Sequence, residues 1–381
     1  FWDVPSNWSP AGEPLAGDDV TISPGSAITV NYRSSFGSPP TLFLVVIETA
    51  TLDHAEDALV TGILSVAGDG SYELGGAGSL TTSLNQQLGG GSGAGTFLQT
   101  GGTNDVGADL RLGISGGAGT YALSGGTLDV GDDLTLGDVV ASTGSFVHSG
   151  GAASVTDQVV LGFGSSTSTG SYALSGTGSL SAASVLVGDT GSGGFTQTGG
   201  TNTITAGTGA LQLGSSATGL GSYALSGGSL SAPLERIGRS GTGSFTQTGG
   251  TNTVSSQLLL GQLAGSTGTY TISGGQLSAG QILGGVAGGL AGAGRLKIDG
   301  GTVTSPTIRV DQIAVGSALA SNGSHTMGAG NTVSAGSLLV GEAGTGTFTQ
   351  AGGTNTATTL SLGDLSTGGG TYVLSGTGSL S

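Results

Sequence analysis

The feature that most constrains this chain is its period. An aromatic residue or a substitute for one recurs thirteen times, at Tyr72, Phe97, Tyr121, Phe146, Tyr172, Phe195, Tyr223, Phe245, Tyr270, Leu296, His325, Phe348 and Tyr372, at intervals of 22 to 29 residues. Two flavours of turn alternate along this series. A unit of that length cannot bury a core alone and must stack on its neighbours, so the sequence predicts a solenoid. Glycine decides which kind. With 82 Gly and 8 Pro in 381 residues, yet 35% hydrophobic residues, the chain is too apolar for a disordered linker. The glycines follow no three-residue period, which excludes collagen. Gly inside a helix costs about 1 kcal/mol relative to Ala, which excludes long helices.

What remains is strands joined by glycine corners. Aligned turns show three short strands each. The first carries the aromatic, as in Ser171-Tyr172-Ala173-Leu174-Ser175 or Ser244-Phe245-Thr246-Gln247-Thr248. The second contains Leu180 or Leu230 in one flavour, and Asn252 with Val254 in the other. The third is apolar, any residue, apolar, Gly, and closes at Gly113, Gly137, Gly162, Gly188, Gly214, Gly238, Gly261, Gly284, Gly316, Gly341 and Gly363. Period-two alternation marks strands with one buried face. It directs Tyr172, Leu174, Leu180, Val185 and Val187 inward, and likewise Phe245, Leu258 and Leu260. The expected fold is all-β, a parallel β-helix with about three short strands and 25 residues per turn. Stacked at the inter-strand spacing, twelve intervals would extend about 58 Å. Asn104, Asn202, Asn252 and Asn355 occupy a slot that Leu takes in alternate turns, so they are expected inside, satisfying backbone groups at a corner.

The ends read differently from the middle. Residues 1–17 hold both Trp, Trp2 and Trp8, and three Pro, Pro5, Pro10 and Pro14, which suggests an aromatic cap over the first coil. Residues 18–70 read as irregular first turns, and residues 71–381 as regular repeats, open at the C-terminus. Tyr372 and Leu380 belong to that last, incomplete turn. A Trp-rich segment at one end and an open strand edge at the other predict head-to-tail association of identical chains, with Trp2, Trp8, Tyr372 and Leu380 at the contact.

Charge narrows the partners. Seven basic residues against 23 acidic ones give a net charge of −16, which argues against nucleic acid, since phosphate binding needs clustered Lys and Arg. The longest apolar run, Leu42 to Ile47, is strand-sized, so no membrane insertion is expected. The chain lacks Cys and opens on Phe1 without Met, which reads as a secreted chain already relieved of its signal peptide.

Candidate chemistry is sparse. A lyase or glycosidase built on a β-helix needs paired carboxylates, or acids holding a metal beside a base. The candidates are Glu235, Arg236 and Arg239 in one turn, and Arg295, Lys297, Asp299, Arg309 and Asp311 further on. Both groups read as solvated or ion-paired patches. Glu235 is the oddest residue, because its register is that of Val185 or Leu258; it is either buried against Arg236 or a corner, or turned outward by a bulge. His54, His148 and His325 lie too far apart for a metal triad. Acids at Asp132, Asp133, Asp138, Asp189, Glu342 and Asp364 do not recur in the Gly-Gly-x-Gly-x-Asp calcium pattern, so no metal or other cofactor is expected. Outward Thr246, Thr248, Thr251 and Thr253 are similar to the rows of ice-binding solenoids, but Gly, Ser and Ala interrupt them.

The text Gly-Ser-Tyr-Ala-Leu-Ser-Gly-Thr-Gly-Ser-Leu-Ser at 170–181, followed by Gly-Phe-Thr-Gln-Thr-Gly-Gly-Thr-Asn-Thr at 194–203, resembles a repeat family. It looks like the β-strand repeats of large secreted proteins from planctomycetes and related bacteria, akin to autotransporter-associated repeats and often ending in a PEP-CTERM sorting signal. Asn7-Trp8-Ser9 with Gly17-Asp18-Asp19-Val20-Thr21-Ile22 is similar to the start of such domains. The resemblance covers nearly the whole chain. It implies an extracellular or cell-surface β-solenoid and supplies no catalytic residues. The expectation is therefore a non-enzymatic rod, a self-assembling fibre or an adhesin stalk, with surface glycans as a further partner class; the alternative is a carbohydrate-binding or polysaccharide-cleaving β-helix.

Overall fold

Alternation of apolar and small polar residues becomes strand after strand in a computed structural model that describes residues 2–9, 11–24, 26–32, 41–91, 93–205 and 209–381. Phe1 and Pro10, read above as parts of the cap, lie outside the described residues. The fold is a parallel β-solenoid of about 15 turns with about 24 residues per turn. It divides into two compact units, Phe1–Ala183 with Gly191–Gly194, and Ser184–Thr190 with Phe195–Ser381.

In the first unit every ladder is parallel and in register. Ala118–Leu123 lies between Ala94–Gln99 and Thr143–His148, which places Tyr121 between Phe97 and Phe146. The rings from Tyr72 to Tyr172 stack 4.6 to 4.9 Å apart and within 10° of parallel, because the strand spacing sets the ring spacing. Asn104 lies between Leu80 and Leu128 on the next face. Leu110, Leu112, Leu134 and Leu136 fill the third.

Coiling starts at Asp19–Ile22, which pairs with Thr41–Glu48, while Thr29–Asn31 pairs with Thr51–His54. Trp2 closes this end. Its backbone N–H donates to Asn31 O at 3.0 Å, its ring meets Tyr32 edge to face, and it is 1% exposed. The Trp8 indole N–H in turn donates to Trp2 O at 2.8 Å. Trp2, expected at a contact between molecules, thus covers the first coil of its own chain, because a core column ending in Tyr32 needs an apolar lid.

The second unit repeats the pattern, with Phe195, Tyr223, Phe245 and Tyr270 stacked 4.5 to 4.9 Å apart. The expected second and third strands are fused here. Ser229–Ile237 and Thr251–Leu260 run round their corner through register shifts at Ala232/Leu234 and Val254/Gln257.

One departure is hidden by the sequence spacing. Residues 307–310 complete the third face on Ile282 and Leu283, but the same strand continues through residues 312–315 onto Ala293–Ile298, so that Ile313 stacks on Leu296. From there the sequence pattern moves on by one face. Thr332–Val340 follows Thr307–Val315, whereas the aromatic strands Asn322–Met327, Thr345–Gln350 and Gly369–Leu374 form a separate three-stranded sheet. The expectation of one continuing aromatic column is corrected accordingly: Leu296 is followed by Ile313 and Leu338, and His325, Phe348 and Tyr372 begin a new column. The cause is local. The glycine corner that elsewhere separates third from first strand is missing, and the chain turns directly at Asp311, whose carboxylate accepts the N–H groups of Ala287 and Gly294.

Candidate functional site

Inward polar residues in a stack of apolar columns must find partners or destabilise the fold. They find one another. Tyr121 O–H donates to Gln99 Oε1 of the preceding turn at 2.5 Å and accepts from Asn104 Nδ2 at 3.0 Å. The same clasp recurs as Gln197, Asn202 and Tyr223, as Gln247, Asn252 and Tyr270, and as Gln350, Asn355 and Tyr372. Each Gln completes it by donating Nε2–H to two carbonyls. For Gln247 these are Gly250 O at 3.2 Å and Gln276 O at 2.9 Å, the latter one coil further on. All four Asn are buried as their slot implies. Their partners differ from the expected corner backbone: each donates to the tyrosine of the next coil, because that hydroxyl lies in the interior beside the slot.

Histidine takes the place of glutamine in two turns. His54 Nδ1 lies 2.6 Å from Tyr72 Oη, and His148 Nδ1 lies 2.8 Å from Tyr172 Oη. Each Nε2 faces a carbonyl three residues on, Asp57 O at 3.3 Å and Gly151 O at 3.1 Å. Of the two neutral tautomers only Nε2–H serves both bonds, with Nε2 donating to the carbonyl and Nδ1 accepting from the tyrosine hydroxyl. Burial agrees, pushing the pKa of His54 down from 6.5 to about 4 and that of His148 down as well. His325, pushed down to about 4 by burial, fills an aromatic slot above Phe348 instead.

Two expected outcomes follow from this geometry. Tyr270→Phe leaves Gln247 Oε1 without its donor and removes one of the two acceptors of Asn252 Nδ2, costing roughly 1–3 kcal/mol; denaturant titration beside Phe245→Tyr, which adds an unpartnered hydroxyl, measures it. At His54 the unfolded chain binds a proton near pH 6.5 while the folded chain waits until about 4. Stability therefore falls as pH drops through that window, by at most about 3 kcal/mol. His54→Gln should flatten this acid limb in melting curves at pH 7 and 4.5.

Glu235 is fully buried and in register with Leu211 and Leu258. The bulge at Ala232/Leu234 leaves it facing inward, and its partner is Asn252, which donates Nδ2–H to Oε2 at 3.2 Å, rather than Arg236. The second charged group sits at the change of faces and holds it. Asp299 accepts the N–H groups of Ser317 and Ala318 and the hydroxyls of Ser317 and Ser321. Arg295 pairs with Glu342 at 2.6 Å.

Among the remaining acids, Asp109, Asp132 and Asp133 bring carboxylate oxygens within 4.8 Å of one another and are the trio that could share a cation. Burial, with Asp132, Asp157 and Asp109 nearby, raises the pKa of Asp133. Asp109 and Asp133 are also rungs between coils. Asn85 Oδ1 accepts Asp109 N–H, Asp109 Oδ1 accepts Asp133 N–H, and Asp133 Oδ1 accepts Gln158 N–H. Asp109 also pairs with Arg111 at 2.7 Å, as does Asp138 at 3.7 Å.

The core residues singled out from sequence, Tyr172, Leu174, Leu180, Val185, Val187, Phe245, Leu258 and Leu260, are all at most 1% exposed. Tyr372 is half-buried in its clasp and Leu380 is 39% exposed. The clasp itself was missed in the sequence, although the signal was there: Gln or His two residues after an inward position of one turn, Tyr in the next. Among the described residues, no helix is long and apolar enough to cross a membrane. Comparison with protein-family models, with curated proteins and with solved structures finds no match to this chain.

Proposed function

We propose that this chain is a structural protein of the cell exterior, a β-solenoid rod that serves as a fibre or an adhesin stalk. The observation that carries the reading is the coil-to-coil stitching of the interior. Successive coils are joined by ladder hydrogen bonds, by ring columns and by the Gln–Tyr–Asn clasps, so load along the axis is shared by all three. The acidic composition, the absence of Cys and the resemblance of the repeat to those of secreted bacterial surface proteins support the exterior location. Head-to-tail association of identical chains belongs to the same reading, as the natural way for a solenoid to lengthen into a fibre.

Pulling single molecules by their ends tests the mechanical part. Expected are successive rupture steps of about 8 nm, one coil of about 24 residues at roughly 3.4 Å each. Featureless extension at low force would remove the reading. Sedimentation across a concentration series tests association, and a monomer at every concentration refutes it.

A second reading rests on a cleft of about 960 Å³ in the first unit, lined by Trp8, Glu13, Asp18, Asp19 and Ile28 among others. An aromatic face beside carboxylates suits a sugar ring and its hydroxyls. Glycan binding that disappears in Trp8→Ala would favour it over the stalk.

A further inference from the structure

We infer that Glu235 carries a proton in the folded chain and donates it to Oδ1 of Asn252, so that the two side chains form a proton-binding site in the core whose emptying at alkaline pH opens their coils.

The inference rests on a comparison within the molecule. Gln86 is the first inward residue of its third strand, in register with Leu110, and Glu235 holds the equivalent place, in register with Leu258. Each meets the Asn of the following coil. Gln86 and Asn104 form a closed pair: Gln86 Nε2 donates to Asn104 Oδ1 at 2.6 Å, and Asn104 Nδ2 donates to Gln86 Oε1 at 3.0 Å. Glu235 and Asn252 form half of it. Asn252 Nδ2 donates to Glu235 Oε2, while Glu235 Oε1 and Asn252 Oδ1 are both buried without a partner.

A carboxylate can only accept, so in its ionised form it leaves the two oxygens facing an environment with no donor. A protonated carboxyl presents O–H where glutamine presents N–H, and the pair closes as it does at Gln86. Among the described residues, the surroundings offer nothing else to hold a charge. Leu211 and Leu258 stack on either side of Glu235, and both are fully buried. Two titratable groups face it from across the interior, Tyr223 and Tyr270, and their hydroxyls already donate to Gln197 and Gln247. On its own strand Arg236 is half-exposed, alternating with the buried positions, and Arg239 beyond it is exposed. Burial pushes the Glu235 carboxyl up to about 8, with the Asn252 hydrogen bond pulling it partly back.

The linkage has a definite sign. The unfolded carboxyl releases its proton near pH 4.5 and the folded one near 8, so the open state binds fewer protons between these values and the coil weakens as pH rises through them. Above about 8 the proton passes to solvent and a buried, unpaired carboxylate remains. Because each coil contacts only its neighbours, the loosening is confined to the strands Ser229–Ile237 and Thr251–Leu260 and those stacked on them.

Infrared spectroscopy of the whole chain, with a pH titration, is the first test. A protonated-carboxyl C=O band that is lost in Glu235→Gln and disappears near pH 8 is expected, and its absence at neutral pH overturns the proposal. Hydrogen exchange is the second. At pH 9 the amides of residues 229–237 and 251–260 should exchange up to about a thousandfold faster in the natural chain than in Glu235→Gln, which restores the closed amide pair. Equal pH profiles for the two proteins overturn it. Should the variant fail to fold, Asn252→Asp supplies the alternative: a second acid sharing the proton moves the infrared titration, and an unmoved titration counts against the pair.

Discussion

Val187→Asp destroys the coil that contains it, whereas Leu186→Asp leaves that coil folded. Val187 is fully exposed to the core and not at all to solvent, in register with Leu213, while Leu186 is half-exposed beside Gln212. A carboxyl placed at 187 would be fully buried in register with Leu213, so it stays folded only by remaining protonated. A shift of three to five pH units is what full burial imposes, or about 4–7 kcal/mol at neutral pH, before the lost packing is added. The contrast with Glu235 sharpens the expectation, because that carboxyl has Asn252 within 3.2 Å whereas Val187 is in register with Leu213. Limited proteolysis and hydrogen exchange over residues 179–187 and 211–213 read the outcome. Equal loss of protection in both variants would show the alternation to be unimportant.

That the two neighbours differ so sharply was legible in the sequence, because period two is a property of the strand itself and needs no knowledge of the partner. Tyr172, Leu174, Val185 and Val187 could be assigned to the interior from their spacing alone, and so could the four Asn. What each inward polar group bonds was not legible. The partner of Asn252 is a tyrosine 18 residues away, reached only because coils stack with a fixed offset and the ring extends across the interior. Reading Asn as a corner residue ignored the alternation of Tyr and Phe turns, which places a hydroxyl next to each Asn and none next to each Leu. The change of faces after Leu296 was hidden for a different reason. The interval from Leu296 to His325 is 29 residues, against 28 between Phe195 and Tyr223, so length does not distinguish an additional strand from a longer corner. The missing glycines between Thr307 and Val315 were the available signal. The charges Arg295, Asp299 and Asp311, grouped above as a possible reaction centre, are the fastenings of that change, which explains why charge concentrates in one region of a chain otherwise poor in it.

Gly113→Ala should be among the most damaging single-methyl changes in the first unit, and Gly116→Ala, three residues on, a mild one. Both positions have positive φ, +71° and +88°, so both carry the same penalty of roughly 1–2 kcal/mol for a left-handed backbone with a side chain. They differ in what the new methyl meets. At Gly113 it would lie 2.1 Å from the carbonyl oxygen of Thr143, at Gly116 3.6 Å from that of Gly91. The first is far inside van der Waals contact and the obstacle is backbone, which cannot rotate away. The corner has no slack on its other side either, because a Cβ on Gly119 would lie 2.3 Å from Gly113 N. Relief therefore requires Thr143–His148 to lift from Ala118–Leu123, separating Tyr121 from Phe146 and straining the ladder between them. A cost of roughly 3 kcal/mol or more beyond the backbone penalty is expected, as for other overpacked interiors. Melting curves of the two variants measure the difference, and tyrosine fluorescence reports whether the rings have parted. Equal costs would mean that glycine is required at these corners for its dihedral freedom alone, and that coils of this solenoid are held apart by something other than the contact between their corners.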